Sequence, residues 1–265
     1  MLNTISFPGL NIGPFHINET ISFLGINIHL YGLIIGIGIL VAYFFAIKTC
    51  EKHGLNKDII TDILLYGLPS SIICARIYYV IFEWGSYKEN LMDIFKIWEG
   101  GIAIYGAVIG GAVSTYVYCK IKKIDYFKAF DIGALGLLIG QIFGRWGNFV
   151  NAEAFGSPTN LPWGMQIAQI STEITFHPTF LYESLWNIGV FLILLSRRNK
   201  RLFDGELFFR YITLYGLGRF FIEGLRMDSL YLGPIRISQL VAGICVITGL
   251  ITIIVKRSKI KNSVE

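Results

Sequence analysis

The sequence predicts an all-α polytopic membrane protein with about seven transmembrane helices, its N-terminus outside and its C-terminus cytoplasmic. Three observations carry that expectation. Of the 265 residues, 54% are hydrophobic and only 15% are charged, where soluble domains have roughly a quarter charged. Mean hydropathy is +0.58. Predominantly apolar stretches of about 20 residues, the length that crosses a bilayer, recur at 28–49, 59–82, 101–119, 129–147, 177–196, 206–225 and 236–255.

The opening stretch, MLNTISFPGLNIGPFHINETISF, has no basic n-region and is broken by prolines and glycines, so it does not read as a cleavable signal peptide. The first span carries YGLIIGIGIL and the fourth GALGLLIG. Glycines at such density let helices approach closely in lipid, where packing drives association. The third span opens on WEGGIAIYGAVIGG. The fifth opens on HPTFLYESLWN, whose Pro178 suits a first helical turn. The sixth closes on GRFFIEGLRMDSL, and a basic tail follows the seventh. No repeat or low-complexity tract interrupts the chain, which predicts a single transmembrane domain over 1–265.

Orientation follows from lysine and arginine, which accumulate on cytoplasmic loops. Lys48, Lys52 and Lys57 mark one connection, and Lys120, Lys122, Lys123 and Lys128 a second. Arg197, Arg198, Lys200 and Arg201 mark a third, and Lys256, Arg257, Lys259 and Lys261 the tail. The other side holds only Lys88, Lys96, Arg226 and Arg236. An odd number of spans satisfies both ends. The net charge of +5 is therefore mainly a matter of membrane sidedness, and no nucleic-acid partner is expected.

On the outer side, the fourth span ends in GRWGNFVNAEAFG and leads into an extracytoplasmic segment at 148–176, where Trp163 suits the headgroup level. Arg145, Asn148, Asn151, Glu153 and Gly156 come from this stretch. The fifth span brings His177, Tyr182 and Glu183, and the sixth brings Arg219, Glu223 and Arg226 at i, i+4 and i+7, one helix face. Tyr31, Arg76 and Tyr105 enter from the first, second and third spans. Polar groups from six spans are thus expected at one depth. An ionisable group at a helix centre costs about 2.5–3.5 kcal/mol to insert, and Glu223 alone does not balance three arginines. The arithmetic asks for a shared anion, and a phospholipid phosphate, which arginine grips in pairs, is the one expected in that leaflet. Cys50, Cys74, Cys119 and Cys245 form no CxxC pair, and the four histidines have no ligand spacing, so no metal is expected.

These motifs resemble the prolipoprotein diacylglyceryl transferases, bacterial enzymes of the cytoplasmic membrane. GRWGNFVNAEAFG resembles the family signature, and YGLIIG, GARIYYV, HPTFLYE and GRFFIEGLRMDSL resemble four further blocks, covering about residues 20–255. The resemblance implies transfer of the diacylglyceryl group of phosphatidylglycerol to the lipobox cysteine of a prolipoprotein signal peptide. The products are a thioether and glycerol 1-phosphate, and no cofactor is implied. It implies catalytic roles for Arg145 and Arg219, with Glu223 and Tyr105 beside them. It implies substrate contacts from Tyr31, Asn148, Glu153, Gly156 and Arg226; Arg76, Asn151, His177, Tyr182 and Glu183 join them from position. Two letters depart from the pattern. Tyr105 stands where many members have a histidine considered as a base, and Phe180 replaces the glutamine of HPxQLYE. With an ordinary pKa of about 10, a tyrosine is a poor base at neutral pH.

Other classes fit the residues less well. A transporter predicts polar groups along a through-path and internal repeats. A rhomboid-type protease needs a GxSG-like serine, which Ser157 does not supply, and an aspartyl type needs paired aspartates at the site, whereas Asp62 and Asp131 lie towards the opposite ends of their spans. A non-catalytic lipid-binding protein would keep the arginines but tolerate loss of Asn148 or Glu153.

Overall fold

A computed structural model describes residues 2–23 and 26–263. The long helices form where apolar length predicts them: α1 Leu30–Thr49, α2 Lys57–Phe82, α4 Ile104–Ile121, α5 Tyr126–Val150, α6 Thr179–Arg197, α7 Glu206–Glu223 and α8 Ile237–Asn262, with a short α3, Trp84–Tyr87, after α2. Six of them, all but α3 and α7, are long and apolar enough to cross a membrane. The sixth expected span, α7, falls short because Glu206, Arg210, Arg219 and Glu223 all lie on it.

The all-α expectation needs correcting. The N-terminal stretch is extended, with β1 Leu2–Phe7, β2 Ile12–Asn18, β3 Thr20–Phe23 and β4 Ile26–His29. The segment after α5 adds β5 Met165–Ile167 and β6 Thr175–Phe176, and the turn before α8 adds β7 Tyr231–Leu232 and β8 Ile235–Arg236. One antiparallel sheet runs in the order β2-β1-β5-β6, while β3 with β4 and β7 with β8 are hairpins. The physical reason is alternation. Asn3 and Ile5 are buried on one face of β1, and Ile5 packs with Met165, Ile167 and Phe180. Half-buried strands of this kind are shorter than a helical span and leave little trace in hydropathy.

The chain divides into two compact units, 1–45 with 131–265, and 46–130. In the first, α5, α6 and α7 share a buried core of Ala134, Leu135, Leu138, Val190, Leu194, Leu207 and Tyr211. At one end of that core the buried carboxylate of Asp131 accepts hydrogen bonds from the backbone N–H groups of Gly205 (3.0 Å) and Phe208 (2.9 Å), capping the start of α7. Glu206 is fully buried beside it and takes Arg210 at 2.7 Å and Arg257 at 2.5 Å.

In the second unit, α2 and α4 pack along one another. The contact depends on glycine. A Cβ at Gly106 would stand 2.4 Å from the carbonyl oxygen of Cys74, and one at Gly110 would stand 2.6 Å from that of Ser70. Gly106→Val is therefore expected to force the helices apart and destabilise the protein by about 1–3 kcal/mol. Thermal unfolding in detergent should show a lower midpoint for that variant. Gly32→Ala, at a position with nothing within 4 Å, should leave it unmoved.

Candidate functional site

The first unit assembles its polar site around one carboxylate. Glu183, in the first turns of α6, is 2% exposed. Its Oε1 lies 2.8 Å from Nη2 of Arg145 on α5, and its Oε2 lies 2.9 Å from Nη1 of Arg219 on α7. Tyr215, one turn before Arg219, donates its hydroxyl to Oε1 at 3.3 Å. Glu223 takes the other end of Arg219, with Nη2 to Oε2 at 2.7 Å, as the i, i+4 spacing requires. Two guanidinium groups from separate helices are thereby held on one buried anion.

The charge count from the sequence set Glu223 against three arginines and left a phospholipid phosphate as their shared anion; the structure adds a carboxylate of the chain itself. Glu183 is the anion that Arg145 and Arg219 share. Arg226 also differs from its expected place. Helix α7 stops at Glu223, so Arg226 sits in the turn beyond it, 4.0 Å from Glu223. It grips Asp228 through two bonds, at 2.9 and 2.7 Å. That grip holds the Asp228 carboxyl below the ordinary carboxylate range.

The signature stretch organises itself around the same arginine. Nη1 of Arg145 donates to Oδ1 of Asn148 at 2.9 Å, and Nδ2 of Asn148 donates to Oε1 of Glu153 at 2.9 Å. Asn151 reaches the same oxygen at 3.4 Å. For Glu153 to turn back on α5, the chain must reverse within two residues, and Ala152 and Ala154 adopt left-handed φ values of 51° and 56°. Each such residue costs roughly 1–2 kcal/mol, and the fold holds them from both sides. Thr179 donates its hydroxyl to the Ala154 carbonyl. Gly156 N–H donates to the His177 carbonyl at 2.9 Å, and Ser157 N–H to the Leu225 carbonyl at 2.7 Å. A Cβ on Gly156 would fall 2.7 Å from His177 Cβ and 2.9 Å from the Leu225 oxygen, which explains the glycine.

Of the other expected residues, Tyr31 lies with its ring against Gly147, where a Cβ would be 2.7 Å from Cδ2, and within electrostatic reach of Glu153 and Arg145. His177 Nδ1 and Tyr182 Oη are 3.2 Å apart, and Trp163 donates its indole N–H to the same Tyr182 oxygen at 2.7 Å. Trp163 is thus tied to α6. Phe180, the departure from glutamine, is buried against Ile5, Met165 and Ile167, its ring 4.8 Å from that of Phe149 and tilted by 35°.

Arg76 and Tyr105 belong to the second unit. All five N–H donors of Arg76 meet backbone carbonyls: Ile94 at 2.8 Å, Gly100 at 2.7 Å, Gly101 at 2.8 Å, Asp93 at 2.6 Å and Lys96 at 3.5 Å. Its side chain pins the connection between α3 and α4 to α2. Tyr105 is in the first turn of α4, its ring 6.3 Å from that of Tyr78. Among the described residues, no group of three or more His, Cys, Asp and Glu side chains could hold a metal ion.

Sequence reasoning missed three participants. Tyr215 had a signal, since 215, 219 and 223 follow one another at i+4 along α7. Asp228 had one in its closeness to Arg226. Arg236, which donates to the carbonyls of Glu223 and Arg226 and so closes the turn after α7, had none, because those two partners are backbone atoms.

With the geometry in place, comparison with known proteins adds an independent finding. Residues 19–255 match the family model for prolipoprotein diacylglyceryl transferase. A relative from Clostridioides difficile (strain 630), a phosphatidylglycerol–prolipoprotein diacylglyceryl transferase, is 44% identical over 92% of this chain and 97% of its own. One of the same name from Finegoldia magna is 44% identical over 92% of this chain and 97% of its own. Another from Lysinibacillus sphaericus (strain C3-41) is 46% identical over 94% and 96%.

Removing the shared carboxylate tests the arrangement. Glu183→Ala leaves two guanidinium groups facing each other without it, and is expected to destabilise the protein by about 3–5 kcal/mol. Tyr215→Phe removes one hydrogen bond to a charged group and should cost about 1.5–3 kcal/mol. Denaturant unfolding in detergent, followed by helical circular dichroism, should order the two variants that way.

Proposed function

The chain belongs to the prolipoprotein diacylglyceryl transferase family, and from that premise we propose that it transfers the diacylglyceryl group of phosphatidylglycerol to a prolipoprotein. The acceptor is the lipobox cysteine of the signal peptide, and this is the first step of bacterial lipoprotein maturation. The protein acts in the bacterial cytoplasmic membrane. It crosses seven times, α7 being the span whose charges are neutralised inside the bundle. The N-terminus lies outside, the C-terminus inside, and the site of Arg145 and Arg219 opens to the outer leaflet. The whole chain, 1–265, serves as one catalytic domain.

The chemistry explains why two arginines are needed. A cysteine thiolate attacks the glycerol carbon that carries the phosphodiester. The C–S bond forms as the C–O bond breaks, the thiol proton having left, and glycerol 1-phosphate departs. The phosphate is singly charged in the lipid and doubly charged once the ester bond is broken. Cations fixed beside it therefore stabilise the transition state more than the bound lipid, which is the condition for catalysis. Arg145 and Arg219 each commit two of five N–H donors to protein partners. The remaining donors are the ones assigned to the phosphate. Glu183, Glu223 and Asn148 keep the two side chains from reorganising when charge appears, and a guanidinium N–H beside the incoming sulfur favours its thiolate form. Tyr31, Asn151, Glu153, Gly156, His177, Tyr182 and Arg226 shape the lipid and peptide contacts around that clamp. Tyr105 acts as an orienting group rather than the base.

The single observation that carries this reading is the pairing of Arg145 and Arg219 on Glu183 within a chain that belongs to the family. Incubating the purified protein with phosphatidylglycerol and a lipobox peptide, then weighing the peptide by mass spectrometry, should reveal the added diacylglyceryl mass. Arg145→Ala and Arg219→Ala should each reduce transfer by roughly 100- to 1000-fold while the protein remains folded and inserted. Tyr105→Phe should reduce it less than either. Near-native turnover in both arginine variants would remove the clamp from the mechanism.

A further inference from the structure

The four-stranded sheet ends at β2, which pairs with β1 alone among the described strands. Its register, Asn3 opposite Ile17 and Ile5 opposite Phe15, puts Phe15 and Ile17 on the face that packs towards α5. That face is tied to the signature: the Asn3 side-chain amide donates to the Val150 carbonyl at 2.9 Å, and Phe15 meets Phe149 edge-on at 6.4 Å. Phe149 in turn meets Trp146, at 5.9 Å. Phe15 is 43% and Trp146 44% exposed, so the apolar platform continues past the last strand, and Trp146 directly follows Arg145.

A sheet edge offers unpaired N–H and C=O groups to any extended chain. Pro14 lacks an N–H, and because alternate residues of an antiparallel strand turn their N–H groups towards β1, the free edge offers every second N–H within Phe15–Asn18. An acceptor polypeptide that enters an apolar interface must satisfy its own backbone there, since each unmet group costs several kcal/mol in hydrocarbon. Resting on the transfer reaction proposed above, we propose that the free edge of β2 takes the acceptor polypeptide as an added strand. Its alternate apolar side chains lie on Phe15, Phe149 and Trp146, and its cysteine is thereby led towards Arg145. Main-chain pairing tolerates any sequence, while the aromatic platform selects apolar residues at every second position.

Hydrogen exchange read by mass spectrometry tests this on the full-length protein in nanodiscs of phosphatidylglycerol and phosphatidylcholine. The probe is a lipobox peptide with serine in place of cysteine, so that it binds without being consumed. Exchange at the N–H groups of Phe15–Asn18 that face away from β1 should slow when the peptide is added. Phe15→Asp should raise the KM for a cysteine-containing peptide roughly tenfold, as loss of an apolar anchor does, with the KM for phosphatidylglycerol unchanged. The proposal is overturned if β2 exchanges at the same rate with and without peptide. It is equally overturned if the strand is already fully protected in lipid alone, or if the peptide KM does not move in a variant whose unfolding midpoint matches the native protein. A native protein that modifies no cysteine peptide would defeat the reaction itself. One that modifies it normally while β2 is unaffected would defeat only the added strand.

Discussion

Everything at the polar end of the first unit depends on a carboxylate that would be intolerable alone. Glu183 is almost wholly enclosed, and in surroundings of low dielectric a lone anion is strongly destabilising. It is tolerated because Arg145 and Arg219 arrive from opposite sides, and they are tolerated because it is there. Removing Glu183 leaves both guanidinium groups without their shared anion, so α5, α6 and α7 are tied to one another through that one carboxylate. Such fixity matters for chemistry. Guanidinium groups already oriented need no rearrangement when a phosphate gains charge, whereas water would have to reorient.

The strained loop after α5 belongs to the same design. Two alanines in the left-handed region would unwind unless neighbours opposed it, and the backbone bonds from Gly156 and Ser157 to the start of α6 and the turn after α7 supply that opposition. Strain of this kind persists where the surrounding structure over-determines it. Its effect is to aim the Glu153 carboxylate back at Asn148, which completes a chain of contacts from Glu153 through Asn148 to Arg145 and on to Glu183.

The helices were legible in the sequence because apolar length is a strong signal, and the helix bounds fall within a few residues of those expected except at the C-terminus of α8. The sheet was not legible: strands of two to seven residues, half-covered, do not stand out in a hydropathy profile. The arginines were visible as polar letters in apolar runs, but their partners were less so. Counting charge near Arg219 in sequence found Glu223 and missed the pairing with Glu183, which is 36 positions away and becomes a neighbour only when α6 folds against α7. Arg76 shows the converse. An arginine within an apolar span suggested a ligand, yet its donors close on five carbonyls of one connection, a pattern that depends on loop conformation and has no sequence spacing. Tyr105 was read from a departure in a motif, and its position in α4 follows from the helix alone.

The charged content of α7 has a consequence for how the protein is made. Glu206 near its start is neutralised by Arg210 within the helix and by Arg257 from α8, while Arg219 near its end needs Glu183 from α6. Its partners flank it in the chain, one synthesised earlier and one later. The full set of counter-ions around α7 is therefore assembled only when α8, which supplies Arg257, packs against it.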